Sequence, residues 1–243
     1  MNTSLILAAA AEGGEEAGHA LFHIGPLPVT GAIVAQWLIM AFLLLIFGLA
    51  ARGLKPVPAS RLQTFIELVV DGMLTFVGNL MDERRARRYL VVPASLFLFI
   101  IASNYSGLIP FLPHQPWFKP PTSHWGVTAG LAVAVFFYVQ YTALRATGGQ
   151  HYKHWFDPLW LAWLRVPLGV IEEFARPFSL SLRLFANVFA GETLLALLLA
   201  VIPYFLPIGI MGLEMITGAV QALIFAMLTT VYLAEASEEH PHH

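Results

Sequence analysis

Cysteine is absent from the 243 residues. That excludes disulfides, thiolate nucleophiles and thiolate metal sites. Charge is nearly as scarce: 13 Lys and Arg and 15 Asp and Glu make up 12 % of the chain, against roughly 25 % in a soluble domain. Basic residues hold no surplus, with a formal net charge of −2 and a pI near 6.5, which argues against a protein that neutralises nucleic-acid phosphates. The chain has no P-loop glycine pattern, so hydrolysis of ATP by this chain alone is not expected. What it has in abundance is apolar surface: 58 % of residues are hydrophobic and the mean hydropathy is +0.70. Too few polar side chains exist to cover a soluble globule, and a disordered chain would be poor in hydrophobic residues and rich in charge. An integral membrane protein remains.

A helix crossing the hydrocarbon core needs about 20 mostly apolar residues. Stretches free of Asp, Glu, Lys and Arg run over residues 31–51, 89–118, 120–144, 193–213 and 215–234. They are continuously apolar and about twice the length of an alternating barrel strand, so helices are expected. Residues 166–191 hold Glu172, Glu173, Arg176 and Arg183 among Leu, Phe and Val, and read as the charged half of a long helix continuing to about 202. Pro203 and Pro207 are expected to bracket a turn. The prediction is an all-α, polytopic membrane protein with five passes, at about 31–52, 90–112, 125–146, 166–202 and 208–236. Across 60–80, Leu62, Phe65, Ile66, Val69, Met73, Phe76, Val77 and Leu80 recur at helical spacing, as in an amphipathic helix lying in the membrane interface.

Basic residues mark the cytoplasmic side of short loops. Arg52, Lys55 and Arg61 follow the first pass, and Arg84, Arg85, Arg87 and Arg88 precede the second. Arg145 and Lys153 follow the third. The amino terminus carries Glu12, Glu15 and Glu16 and no basic residue. It is therefore expected outside and the carboxyl terminus inside, with residues 1–30 as an extracytoplasmic segment and 31–243 as one membrane domain. Residues 1–11 are apolar but lack the basic n-region of a signal peptide. The sequence has no internal repeat of the kind that builds inverted-repeat transporters.

Three ionisable residues fall where charge costs most: Arg183, Glu192 and Glu214. Each costs at least a few kcal/mol on insertion scales unless it faces a bundle interior or a wet cavity. At 100° per residue, Glu172, Arg176, Ser179, Arg183 and Asn187 form one polar stripe, whereas Glu192 lies 180° from Arg183. Arg183 and Glu192 therefore serve different surfaces. On the fifth pass Glu214 and Gln221 share a face, with Thr217 and Gly218 between them. Folding the last two passes as a hairpin puts Glu192 and Glu214 at similar depth. Carboxyls held away from bulk water exchange protons nearer neutrality, whereas arginine keeps its proton and forms a fixed positive barrier. The combination describes a gate for proton-coupled motion. The structural alternative is a buried ion pair between Arg183 and one glutamate. Glu172 and Arg176 are spaced for an ordinary i,i+4 pair.

The run Arg176-Pro-Phe-Ser-Leu-Ser-Leu-Arg183-Leu-Phe-Ala-Asn187-Val-Phe-Ala-Gly-Glu192 closely resembles the signature of the ATP synthase subunit a family. The run from Gln221 to Tyr232, followed by Ala236-Ser-Glu-Glu-His240, and Asn104-Tyr-Ser-Gly-Leu-Ile-Pro110 are similar to it as well. The resemblance implies a stator channel subunit that faces a ring of small hairpin subunits, the c-ring, each bearing an essential carboxyl. It implies that Arg183 separates two offset proton half-channels and that Glu192, Glu214, Asn187 and Gln221 belong to the outer one; Glu172, Arg176 and Ser179, on the polar stripe with Arg183, are candidates for an inner polar path. Some bacterial members carry histidine where Glu214 stands, and glycine is common where Ala186 stands. The implied partners are the c-ring, the peripheral-stalk subunit b and the rest of the complex, in a bacterial plasma membrane. No cofactor or metal is implied.

Other membrane functions fit less well. An intramembrane aspartyl protease needs an aspartate pair at depth, and Asp71, Asp82 and Asp157 lie outside the expected spans. A haem cytochrome needs axial ligands within the bundle, and all nine histidines lie near or beyond span ends. His240, His242 and His243 fit at most adventitious metal binding. A stand-alone channel or proton-coupled transporter is the runner-up.

Overall fold

In a computed structural model the described residues are 20–24, 27–52, 60–109, 118–147, 162–201 and 205–237. A small antiparallel hairpin, β1 (Ala20–Ile24) and β2 (Leu27–Thr30), precedes the helices, with Phe22 opposite Val29 and Ile24 opposite Leu27. The sequence reading did not anticipate it; the segment is too short to show a clear period, although aromatic and β-branched residues favour extended backbone.

The first long helix, α1 (Gly31–Arg52), has 22 residues and so reaches about 33 Å, enough for the ~30 Å hydrocarbon layer. Only Ala32 and Ala35 are buried within it, while Trp37, Phe42, Leu44 and Leu45 are exposed. The amphipathic segment forms α2 (Arg61–Gly78), started by Ser60, whose hydroxyl accepts the Gln63 N–H at 3.1 Å. Such a cap satisfies one of the unpaired amides of the first turn. Its Ile66, Met73 and Val77 face inward, and Leu62, Phe65 and Leu68 face out.

The second pass is broken. α3 (Glu83–Tyr89) and α4 (Val91–Ser106) meet at a 54° bend. Pro93 cannot donate to the Tyr89 carbonyl and crowds it, which favours a kink at this joint. α4 has 16 residues, about 24 Å, and is shorter than the expected 90–112. A 3₁₀ turn at Pro121–Ser123 leads into α5 (Trp125–Thr147), α6 (Ala162–Val201) and α7 (Phe205–Ser237). Among the described residues four helices are long and apolar enough to cross a membrane, or five if the bent pair is one span. Pro207 lies inside the first turn of α7 rather than in the expected turn; a proline is tolerated there because the first amides lack helical partners anyway. Pro110, Pro113 and Pro203, Lys55, Lys153 and Asp157, and residues 1–19 and 238–243 lie outside the described residues.

α6 has 40 residues and interior prolines at 167 and 177. At about 60 Å it is too long to stand upright in the hydrocarbon layer and must tilt or project. The core lies among α4, α5, α6 and α7, where Phe99, Ile100, Val135, Leu180, Leu184 and Phe225 meet. A second cluster, Val77, Met81, Ala86, Tyr89 and Leu233, ties the α2–α3 corner to the last turns of α7.

Candidate functional site

The inward face of α6 recurs every four residues through Leu180, Leu184 and Val188. Arg183 stands one step off that row and is exposed. Ala175, Ser179, Ala186 and Ala190, at intervals of three and four around it, are exposed too. Arg183 thus rises from a stripe of small side chains at the rim of an apolar surface formed by Phe178, Leu182 and Phe189. Among the described residues it makes no ion pair and no hydrogen bond; the Tyr232 hydroxyl is within its electrostatic reach. The alternative of a structural ion pair between Arg183 and a glutamate therefore has no support among those residues.

Glu192 points elsewhere, as the helical wheel predicts. It is half-buried, with the Ser123 hydroxyl against its carboxyl and Lys119 and Glu214 within electrostatic reach. Its Oε1 is enclosed and has no hydrogen-bond partner. The Glu214 carboxyl lies directly against the Gly191 backbone: a Cβ on Gly191 would stand 2.7 Å from Glu214 Oε1. Two carboxyl groups from α6 and α7 therefore meet beside the 3₁₀ turn. Gly191 admits the contact, a role that its position in the sequence did not reveal.

One turn along α7 from Glu214, the Asn104 side chain crosses from α4. Its Nδ2 donates to the Gly218 carbonyl at 3.0 Å, and its Oδ1 accepts from the Thr122 hydroxyl at 2.8 Å. Gly218 is needed for this approach, since a Cβ there would stand 3.2 Å from Asn104 Cβ. Gln221, a further turn on, is 5 % exposed and its Nε2 is unpartnered, as is the Oγ of fully buried Ser103 on α4. Buried polar atoms left unpaired in this way are costly, and their recurrence near the carboxyl pair is what a polar passage between helices would show. Asn187 is half-buried on α6. Just before α5, burial, with help from Lys119, holds the His124 imidazole below its ordinary pKa.

The remaining predicted residues separate from this group. Arg176 donates to Glu172 at 2.7 Å, the expected i,i+4 pair, and also to Glu235 of α7 at 2.7 Å. Its guanidinium lies 5.2 Å from the Tyr232 ring centroid. Ser179 is exposed a turn away. Glu173, next to Glu172, accepts from Gln140 of α5 at 2.7 Å. Sequence reasoning missed Glu235, because an acid near a helix end, close to Glu238 and Glu239, looks like an ordinary solvated residue. Among the described residues no cluster of three or more His, Cys, Asp or Glu could hold a metal.

Comparison with known proteins agrees with the motifs. Residues 33–234 match the model of the family described as "ATP synthase A chain". The chain is 38 % identical over 224 residues to ATP synthase subunit a of Moorella thermoacetica, an alignment covering 90 % of this chain and 96 % of that one. It is 35 % identical to ATP synthase subunit a of Gloeobacter violaceus, covering 93 % and 91 %. It is 36 % identical to ATP synthase subunit a 2 of a Bradyrhizobium species, covering 89 % and 92 %.

Proposed function

Since this chain belongs to the ATP synthase A chain family, a membrane component of a rotary ATP synthase, we propose that it is the stator channel subunit through which protons reach and leave the c-ring. The reading rests first on Arg183. A cation exposed on an apolar helix face, without a counter-charge among the described residues and flanked by Ala175, Ser179, Ala186 and Ala190, suits a surface that another helix approaches closely. Small residues let helix backbones come together in lipid. A ring carboxylate passing Arg183 would find an electrostatic partner there, and would have to take up a proton before moving on into lipid.

The outer half-channel is then the passage lined by Glu192, Glu214, Asn187 and Gln221. Glu192 and Glu214 hand protons between helices, and Arg183, which keeps its proton, bars a direct path between the two half-channels. Glu172, Arg176 and Ser179 stand on the inner side. The chain performs no bond chemistry; its work is vectorial, coupling proton flow to rotation. Its partners are the c-ring and the peripheral-stalk subunit b. It resides in a bacterial plasma membrane with the amino terminus outside.

Replacing Arg183 by Ala tests this. The complex should assemble, and ATP-driven proton pumping and ATP synthesis should both be lost. Normal pumping by vesicles containing the assembled Arg183→Ala complex would overturn the assignment.

A further inference from the structure

Two arginines stand on the same flank of α6. Arg176 and Arg183 are seven residues apart, two helical turns and about 10 Å along the axis. Arg183 is exposed, whereas Arg176 is held from three sides. Glu172 grips it within α6, Glu235 grips it from α7, and the Tyr232 ring lies beneath its guanidinium. Tyr232 also stands within electrostatic reach of Arg183. The ring therefore lies directly against Arg176 and within the field of Arg183.

The backbone explains why this spot is braced. Pro177 removes one hydrogen bond from α6, the one its amide would give to the Glu173 carbonyl, and its ring weakens the helix there. The Glu172–Arg176 pair spans that turn along the helix, and the Arg176–Glu235 pair ties it to α7. Behind the clasp is a small cavity of about 30 Å³ lined by Glu173, Arg176, Pro177, Leu180, Tyr232 and Glu235. Its walls are mostly apolar, completed by Ala132, Val135, Phe136 and Val139, and it has room for about one water beside the Glu173 and Glu235 side chains. An open route from this cavity to the Arg183 flank would let protons bypass the ring.

The geometry points to an inner seal: the Arg176–Glu235 clasp across α6 and α7 holds Tyr232 as a plug beneath Arg183 and keeps protons on the inner side from slipping past it. Arg176 and Glu235 are positioning residues in this role, acting through Tyr232. This rests on the half-channel reading above. Loss of the clasp opens a leak, so protons are lost while ATP is still hydrolysed. Loss of Arg183 itself stops coupled transport.

The test uses assembled ATP synthase in proteoliposomes, comparing wild type with Arg176→Gln, Glu235→Gln and the double variant. Protons pumped per ATP hydrolysed are measured, a ratio that does not change with the amount of complex assembled. Each single variant should lower the ratio at least threefold with hydrolysis retained. The double variant should be no worse than the poorer single, because both remove one interaction. Glu235→Gln, a near-isosteric change at a half-exposed side chain, keeps the test open if Arg176→Gln does not assemble. Wild-type ratios in the single variants, or losses that multiply in the double, would overturn the seal. Wild-type pumping together with its loss in Arg183→Ala, measured in parallel, tests the half-channel reading separately.

Discussion

Gly191 has no side chain, and the Glu214 carboxyl occupies the space that one would fill. The contact is with the far end of a flexible side chain, so Gly191→Ala should fold with little loss of stability and displace that carboxyl. ATP-driven acidification of vesicles by the variant should slow several-fold at equal complex content, and Gly191→Leu should be slower still. Glu192→Gln and Glu214→Gln should each slow acidification as well, less severely than Arg183→Ala. A double glutamine variant running at the wild-type rate would show that outer protons travel elsewhere. At this scale the sequence was informative wherever charge was expensive. Arg183, Glu192 and Glu214 announce themselves by their depth in apolar runs, and helical spacing alone separates the faces of Arg183 and Glu192. Gly191, Ser123 and Glu235 were not legible in this way, because a contact between helices leaves no mark in the spacing of either helix.

Among the elements, α4 and α7 are joined by a buried polar bond rather than by apolar packing alone. Asn104 satisfies both ends of its amide, one on the Gly218 carbonyl and one on the Thr122 hydroxyl. Asn104→Leu would remove both bonds and leave the Thr122 donor without its acceptor. Stranding a buried polar group of this kind costs about 1–3 kcal/mol, and the variant should show a lowered unfolding temperature in detergent. A value equal to wild type would mean that water replaces the amide. The helix boundaries were largely readable: 31–52 and 125–146 agree with α1 and α5 to within a residue, because continuous apolar runs end at charge or at turn residues. Two joints were not. The bend between α3 and α4 depends on where Pro93 falls relative to a corner that packing creates, and Pro207 enters α7 because its position in the first turn costs no hydrogen bond.

Apart from the β1–β2 hairpin the described residues are helical, and the molecule is a multi-pass membrane protein of a rotary ATP synthase. Its lack of cysteine makes its orientation directly measurable. Glu83→Cys, at an exposed position in α3, should be labelled by an impermeant thiol reagent only from the cytoplasmic side, and Glu12→Cys only from outside. The opposite pattern would reverse the assignment of the two half-channels. The sequence by itself determined the class, the approximate bounds of the long apolar helices and the charged residues that interrupt them. Those follow from hydropathy, helical period and the cost of burying charge, all of which are local. Only the tertiary structure decided that Glu192 and Glu214 meet at Gly191, that Asn104 bridges to α7, and that Arg176 is held by Glu235 while Arg183 has no counter-charge among the described residues. Each of these depends on the register between helices far apart in the chain, which packing sets and local pattern does not encode.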